Sequence, residues 1–140
     1  MIVRLGLPRE VVEEQFRRMA FNIIARNQDD HVKNIAFLMD KSGRWSLSPA
    51  YDMTFSYNPT GTWTASHQMS MNGKRDGFSL EDFRACAGTV SMKRGRAEAI
   101  VEEVRSAVLR WSDFAEDAGV APAWRDRIAA EVRMGIGVGG

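Results

Sequence analysis

The chain is organised around one polar stretch, Asn27-Gln28-Asp29-Asp30-His31-Val32-Lys33-Asn34, and around the pair Tyr51-Asp52 that follows it. Two carboxylates, an imidazole, an ammonium and a carboxamide fall within the six residues that end this stretch. The flanking sequence predicts an apolar helix before it and an apolar strand after it. Polar groups packed so densely beside a predicted core indicate a site for a metal ion and an anionic ligand.

The composition indicates one soluble globular domain. The chain has 140 residues, of which 44% are hydrophobic and 26% charged, and its net charge of +1 gives no field that would favour nucleic acid or a membrane surface. No apolar run approaches the roughly 20 residues that span a bilayer, and no signal peptide is recognisable. The single cysteine, Cys86, excludes an internal disulfide and favours the cytoplasm, and we expect it to be buried and unreactive.

Helical periodicity dominates the chain. After Pro8, a predicted helix runs to about Arg26, with Glu13–Arg17 and Glu14–Arg18 as favourable i,i+4 pairs. Its apolar stripe consists of Val12, Phe16, Met19, Ala20, Ile23 and Ile24. Later helices are predicted from a capping box at Ser79 and Asp82 to Gly88, from Ser91 to Gly119, and from Pro122 with Trp124, Ile128 and Val132 facing inward. Residues 1–7 suggest a strand remnant or linker, and residues 135–140 should fray.

A β-hairpin is predicted directly after the polar stretch. Residues 35–39 have the pattern of a buried strand, residues 40–43 of a turn, and residues 44–48 of a returning strand. The returning strand should bring Tyr51-Asp52 next to Asp29–Asn34. The fold class is therefore mainly α (α+β): a helical bundle with a small β-hairpin beside the polar stretch. Residues 53–77 have no period and predict a long flexible loop anchored by Met69 and Met71, with His67 on the surface.

The spacing of the polar residues suits phosphoryl transfer. Protein kinases place a catalytic Asp five residues before a metal-binding Asn and add a second Asp beyond a hairpin. Asp29, Asn34 and Asp52 have this order, and His31 or Lys33 would face phosphate oxygens. Each residue alone has a simpler explanation: a capped turn for Asp52, a surface or helix-end position for His31, and a solvated Lys33. Zinc is disfavoured because His31, His67 and Cys86 lack ligand spacing.

Two motifs carry a more specific resemblance. Asp29-Asp30-His31-Val32-Lys33-Asn34 and Ser48-Pro49-Ala50-Tyr51-Asp52-Met53 resemble the C-terminal lobe of the HipA-type serine/threonine toxin kinases, whose loop usually reads Asp-x-His-x-Lys-Asn. The segments 69–74 and 79–83 are also similar to that family. The resemblance is strong over residues 16–85 and looser beyond them.

The resemblance implies roles for individual residues. Asp29 would be the catalytic base, and Asn34 and Asp52 would hold Mg²⁺. ATP would contact His31, Lys33, Asn34, Tyr51 and Asp52. Family members act on a serine or threonine of a cellular protein and are neutralised by a helix-turn-helix antitoxin, so these are the partners that the resemblance implies.

The N-terminal lobe of such kinases, which covers the phosphates of ATP, has no counterpart in residues 1–7. The glycine-rich run at 135–140 does not open a helix and is rejected as a phosphate loop. The expectation is a single domain over 1–140 that is inactive on its own. Two other readings stay open: a degenerate, non-catalytic lobe that binds an antitoxin or another protein through residues 53–77, and a helical domain whose polar stretch is only a capped connection.

Overall fold

The computed structural model describes residues 1–137 and contains five α-helices and one antiparallel hairpin in this part of the chain. In chain order the elements are α1 (Arg9–Ile24), β1 (Phe37–Met39), β2 (Trp45–Leu47), α2 (Leu80–Thr89), α3 (Arg96–Leu109), α4 (Trp111–Asp117) and α5 (Pro122–Glu131), with 3-10 turns at Val3–Leu5 and Val32–Asn34. The predicted fold class, mainly α (α+β) with a small hairpin, is confirmed. None of these helices is both long enough and apolar enough to cross a membrane.

The core lies where α1 and α2 pack against α3. Helix α1 begins directly after Pro8, whose fixed φ suits a helix start. The apolar positions spaced by three and four residues fall on one side, so that they are buried together. The buried members are Phe16, Ala20, Ile23 and Ile24 of α1, Phe83 and Ala87 of α2, and Ile100, Val101, Val104 and Val108 of α3.

One of the two ion pairs predicted on α1 forms. Arg18 Nε lies 2.9 Å from Glu14, as expected, but the predicted Glu13–Arg17 pair is wrong. Glu13 instead binds Arg96 Nε at 2.8 Å, and Arg17 binds Glu14. The reason is tertiary: α3 packs alongside α1 and brings Arg96 within reach of Glu13.

The hairpin forms as predicted, with Phe37 opposite Leu47 and Met39 opposite Trp45. Its expected burial is wrong, because Leu38 is 52% exposed and Met39 is 59% exposed. A two-stranded sheet buries its side chains only where another element covers them, and the described helices pack chiefly on one another. The hairpin therefore presents apolar side chains to solvent.

The capping box at the start of α2 is confirmed, since Ser79 and Asp82 exchange both capping hydrogen bonds. The predicted stop at Gly88 is off by one residue, because the helix continues to Thr89. Cys86 is partly buried on this helix, and burial raises the pKa of its thiol. A thiol with a raised pKa is a poor nucleophile, which agrees with the predicted structural role.

The predictions for the C-terminal half need three corrections. The helix expected from Ser91 begins instead at Arg96, after Gly95 in the left-handed conformation at φ 79°. The chain bends at Arg110, so that α3 and α4 are separate helices. Trp124 is 55% exposed rather than inward-facing, whereas Ile128 and Val132 are partly buried; α5 meets α4 where Trp111 Nε1 donates to the Arg125 carbonyl oxygen at 2.9 Å.

The two ends of the chain also differ from expectation. The first residues form a 3-10 turn at Val3–Leu5 rather than a strand. Ile136 is only 9% exposed and belongs to the core, so the predicted fraying is wrong at this residue. Residues 138–140 of the predicted frayed tail lie outside the described residues.

Candidate active site

The polar stretch leaves the end of α1 and meets the segment that follows β2. Asn34 Nδ2 donates a hydrogen bond to Asp52 Oδ2 at 2.8 Å and another to the backbone carbonyl of Asp29 at 3.1 Å. The predicted convergence of the two motifs is therefore confirmed. The hairpin formed by β1 and β2 reverses the direction of the chain, which brings Asp52 back to Asn34.

Tyr51 connects the second motif, residues 48–53, to the first motif, residues 29–34, by a hydrogen bond. Its hydroxyl donates to the backbone carbonyl of Lys33 at 2.6 Å. The Lys33 side chain points into solvent, and His31 is partly buried with its Nε2 3.9 Å from Asp29 Oδ1. His31 Nδ1 is buried and has no hydrogen-bond partner among the described residues. Contact of His31, Lys33 or Tyr51 with ATP stays a prediction.

Asn27 connects the two acidic residues, a role that the sequence did not reveal. Its buried side-chain amide donates to the Asp52 carbonyl at 3.1 Å and to Asn22 Oδ1 at 3.0 Å. Its Oδ1 accepts from Ser56 Oγ at 3.2 Å, and Ser56 Oγ in turn accepts from the Asp29 backbone N–H at 3.0 Å. The Asn27 carboxamide therefore holds Asp52 directly and Asp29 through Ser56. The only sequence signal for this role is that a polar residue, Asn27, follows the apolar stripe of α1 by three residues.

The adjacent carboxylates Asp29 and Asp30 have different environments. The Asp29 side chain is 46% exposed, so a substrate group could reach it. The Asp30 side chain is 1% exposed and accepts hydrogen bonds from His67 Nδ1 at 2.6 Å and from the backbone N–H groups of Gln68 and Met69 at 2.7 and 3.1 Å. Only Asp29 is free to act on a bound molecule.

Burial favours a raised pKa for Asp30, but its hydrogen bonds outweigh that effect. The bond with His67, supported by the two backbone N–H donors, leaves the pKa of this carboxyl below its ordinary value. Asp30 is therefore a charged structural anchor that ties the polar stretch to residues 67–69.

The placement of His67 on the surface was wrong. Its side chain is fully buried, because the buried Asp30 carboxylate needs a partner and His67 supplies it. The segment 53–77 contains no helix or strand, as predicted, and Met71 is buried while Met69 packs on the core. Its flexibility stays a prediction, although Gln28 Nε2 also donates to the Thr64 carbonyl at 3.0 Å.

The donor set at Asn34 and Asp52 fits a hard divalent cation. Mg²⁺ takes oxygen ligands about 2.1 Å away in octahedral geometry, so neighbouring ligand atoms lie about 3 Å apart. The Asn34 amide and the Asp52 carboxylate lie 2.8 Å apart at their nearest atoms, so both side chains are close enough to reach one ion. No group of three or more His, Cys, Asp and Glu side chains that could hold a metal occurs within residues 1–137. One carboxylate and one amide suit Mg²⁺ that keeps waters and phosphate oxygens as its other ligands.

The cavity next to the Asn34 and Asp52 side chains is small. A cavity of about 90 Å³ is lined by Asn34, Tyr51 and Asp52 together with Gln15 and Asn22. Nucleotide-sized ligands occupy pockets of several hundred Å³, so this cavity could not enclose one.

Comparison with known families agrees with the motifs. The model of the HipA-like C-terminal domain family matches residues 1–112, which reach from the first turn through α3 into α4. The chain therefore belongs to the family of HipA-like C-terminal domains. A comparison with curated proteins gives no match.

Proposed function

We propose that this chain carries the catalytic and magnesium-binding residues of a HipA-like serine/threonine protein kinase that acts as a toxin. The observation that carries the proposal is the 2.8 Å contact between Asn34 and Asp52, made by the same amide that binds the Asp29 carbonyl. Family membership and the exposure of the Asp29 carboxylate support it further.

In the proposed reaction, the hydroxyl oxygen of a serine or threonine attacks the γ-phosphorus of ATP. The bond from that phosphorus to the bridging oxygen breaks, ADP leaves, and the hydroxyl proton passes to the carboxylate of Asp29. Oxygens of Asn34 and Asp52 would hold Mg²⁺, which neutralises phosphate charge when it is bound. His31, Lys33 and Tyr51 would border the nucleotide.

The proposed partners include a second lobe that covers the phosphates, on this chain or another. Electrostatic stabilisation by such a lobe supplies much of the rate, so we expect little turnover without it. The exposed apolar side chains beside the candidate site, Val32 at 84%, Leu38 at 52% and Trp45 at 42%, would suit a packed neighbour. A helix-turn-helix antitoxin and a protein substrate are the other proposed partners, and the cytoplasm is the proposed compartment.

The test is calorimetric titration of Mg²⁺·ATP into the full chain, alone and together with a HipA-like N-terminal lobe supplied as a separate protein. Asp52→Asn is expected to weaken binding about tenfold or more, because it removes the carboxylate ligand. Asp126→Asn, an exposed carboxylate on α5, is the control and should bind as the wild type does. Absence of binding by the wild type in the presence of the supplied lobe would contradict the proposal.

A non-catalytic interaction module is the second candidate. The observation that favours it is Trp63, which is 70% exposed within residues 53–77 and would suit a protein partner. In this case the product of the neighbouring reading frame should co-purify with the chain, Trp63→Ala should abolish co-purification, and no Mg²⁺·ATP binding should be measurable. Nucleotide binding that depends on Asp52 would contradict this candidate.

A further inference from the structure

Arg133 lies on the segment after α5, beyond the residues that the family model matches. Its backbone N–H donates to the carbonyl of Ile24 at 2.9 Å, and Ile24 is the last residue of α1. Its neighbours Val132 and Met134 pack against the core, and Ile136 belongs to it. The segment is therefore anchored at the point where the polar stretch begins.

The guanidinium of Arg133 reaches three separate parts of the chain. Its Nη1 lies 3.3 Å from His67 Nε2, and its Nη2 donates to Gln28 Oε1 at 3.3 Å and also to the carboxylate of Asp76. The side chain is only 14% exposed, and this burial lowers its pKa from the ordinary value, although Asp76 opposes the effect. A cation in such a position costs desolvation energy, which the three contacts offset.

The contacts of His67 with Arg133 and with Asp30 together determine which ring nitrogen carries the hydrogen. A guanidinium only donates hydrogen bonds, so His67 Nε2 must accept. The remaining nitrogen, Nδ1, then carries the hydrogen and donates it to Asp30 Oδ2 at 2.6 Å. Arg133, His67 and Asp30 form one directed chain of hydrogen bonds that ends on the residue next to Asp29.

We infer that Arg133 is a positioning residue for Asp29. It holds Gln28 directly and Asp30 through His67, and these residues flank Asp29 on either side. Fixing both neighbours orients the Asp29 backbone, whose N–H is bound by Ser56 Oγ at 3.0 Å. The importance of this orientation for catalysis rests on the proposed kinase function, whereas the orientation itself can be measured without any ligand.

The experiment compares Arg133→Met with the wild type by NMR of the full chain. Methionine keeps an unbranched apolar stem but has no donor. We expect the ¹⁵N chemical shift of His67 Nε2 to change, because this nitrogen loses its hydrogen-bond donor, while the Asp30 carboxylate keeps the hydrogen on Nδ1. We also expect amide exchange at Asp29, Gln68 and Met69 to accelerate about tenfold relative to the amides of α2 and α3.

Two further variants make the result specific. Arg127→Met removes an arginine of α5 that stacks on Trp124, and it should leave the His67 ring and the exchange at Asp29 unchanged. Arg133→Lys retains the charge but offers one nitrogen in place of two, so it should accelerate exchange at Asp29 by about threefold. This variant decides the question if Arg133→Met does not fold.

An unchanged Nε2 chemical shift of His67 in Arg133→Met, or an increase in exchange that is uniform over the chain, would overturn the inference. None of these measurements uses ATP, a metal ion or turnover. Failure of the wild type to bind Mg²⁺·ATP would therefore contradict the proposed function and leave the positioning role of Arg133 intact.

Discussion

The side-chain amide of Asn27 donates a hydrogen bond to the backbone carbonyl of Asp52 at 3.1 Å, across 25 residues of the chain. Asp52 has a positive φ of 54°, a conformation that costs energy for any residue with a side chain. The hydrogen bond holds it there, while the Oδ1 of the same Asn27 binds Ser56 and so reaches Asp29. The relative positions of the proposed base and the proposed metal ligand therefore depend on one buried carboxamide.

Replacing Asn27 by Ala is expected to lower the free energy of unfolding by about 1–3 kcal/mol, because buried partners lose their hydrogen bonds. The affinity for Mg²⁺·ATP should fall with it, since Asp52 is no longer held. Urea denaturation and calorimetry measure the two effects. Ser112→Ala, at an exposed position on α4 whose side chain makes no hydrogen bond within residues 1–137, is the control and should change stability by no more than about 0.5 kcal/mol. Equal stability of both variants would contradict the bridging role.

Substitutions at Asp29 and Asp30 should have opposite consequences. Asp30→Asn weakens a buried hydrogen bond to His67 and should cost about 2 kcal/mol of stability. Asp29→Asn changes a half-exposed side chain and should alter stability by less than about 0.5 kcal/mol while abolishing phosphoryl transfer in the assembled kinase. Chemical denaturation together with a phosphorylation assay separates the two residues. A strongly destabilised Asp29→Asn would argue against a purely catalytic role for Asp29.

Ser56→Ala tests the contact to the Asp29 backbone. The change removes the oxygen that accepts the Asp29 N–H at 3.0 Å and should cost about 1 kcal/mol. Amide exchange at Asp29 should accelerate, whereas exchange in α3 should reflect only the global loss of stability. Ser46→Ala, at an exposed position on β2, is the matched control. Slow exchange at Asp29 in Ser56→Ala would show that another group protects this amide.

The stability of the fold should depend on pH through Asp82. Its buried carboxylate accepts from Lys74 Nζ, Asn72 Nδ2 and the Ser79 backbone N–H, each at 2.8 Å. The hydrogen bond from Lys74, followed by those from Asn72 and Ser79, holds the pKa of Asp82 far below its usual range. A lowered folded-state pKa stabilises the fold above the unfolded value of about 3.9, and this contribution is lost as the pH falls below it.

Thermal melts between neutral and acidic pH check this prediction. Asp82→Asn should melt well below the wild type at pH 7, and the difference between them should shrink as the pH falls below about 4. Asp126→Asn, the exposed carboxylate on α5, serves as the control and should melt with the wild type throughout. A constant difference between Asp82→Asn and the wild type would contradict the assignment.

The sequence predicted the features that depend on local spacing. The stripe on α1, the hairpin after the polar stretch and the capping box at Ser79 follow from periodicity and turn chemistry. Because the hairpin returns the chain, the sequence also predicted the meeting of Asn34 and Asp52. Burial of the hairpin and the inward side of α5 could not be predicted, since they depend on which elements cover them.

The sequence by itself determined the helical class of the domain and the order of the proposed site residues along the chain. Only the tertiary structure decided that Asp30 is an anchor while Asp29 is accessible, because the spacing to Asn34 selects Asp29 but does not show which of the two carboxylates is buried. Only the tertiary structure joined Arg133 to Gln28, which lie 105 residues apart. A buried polar group forms hydrogen bonds with whichever partner the packing brings within about 3 Å. Such pairs have no regular spacing along the chain, so sequence periodicity does not predict them.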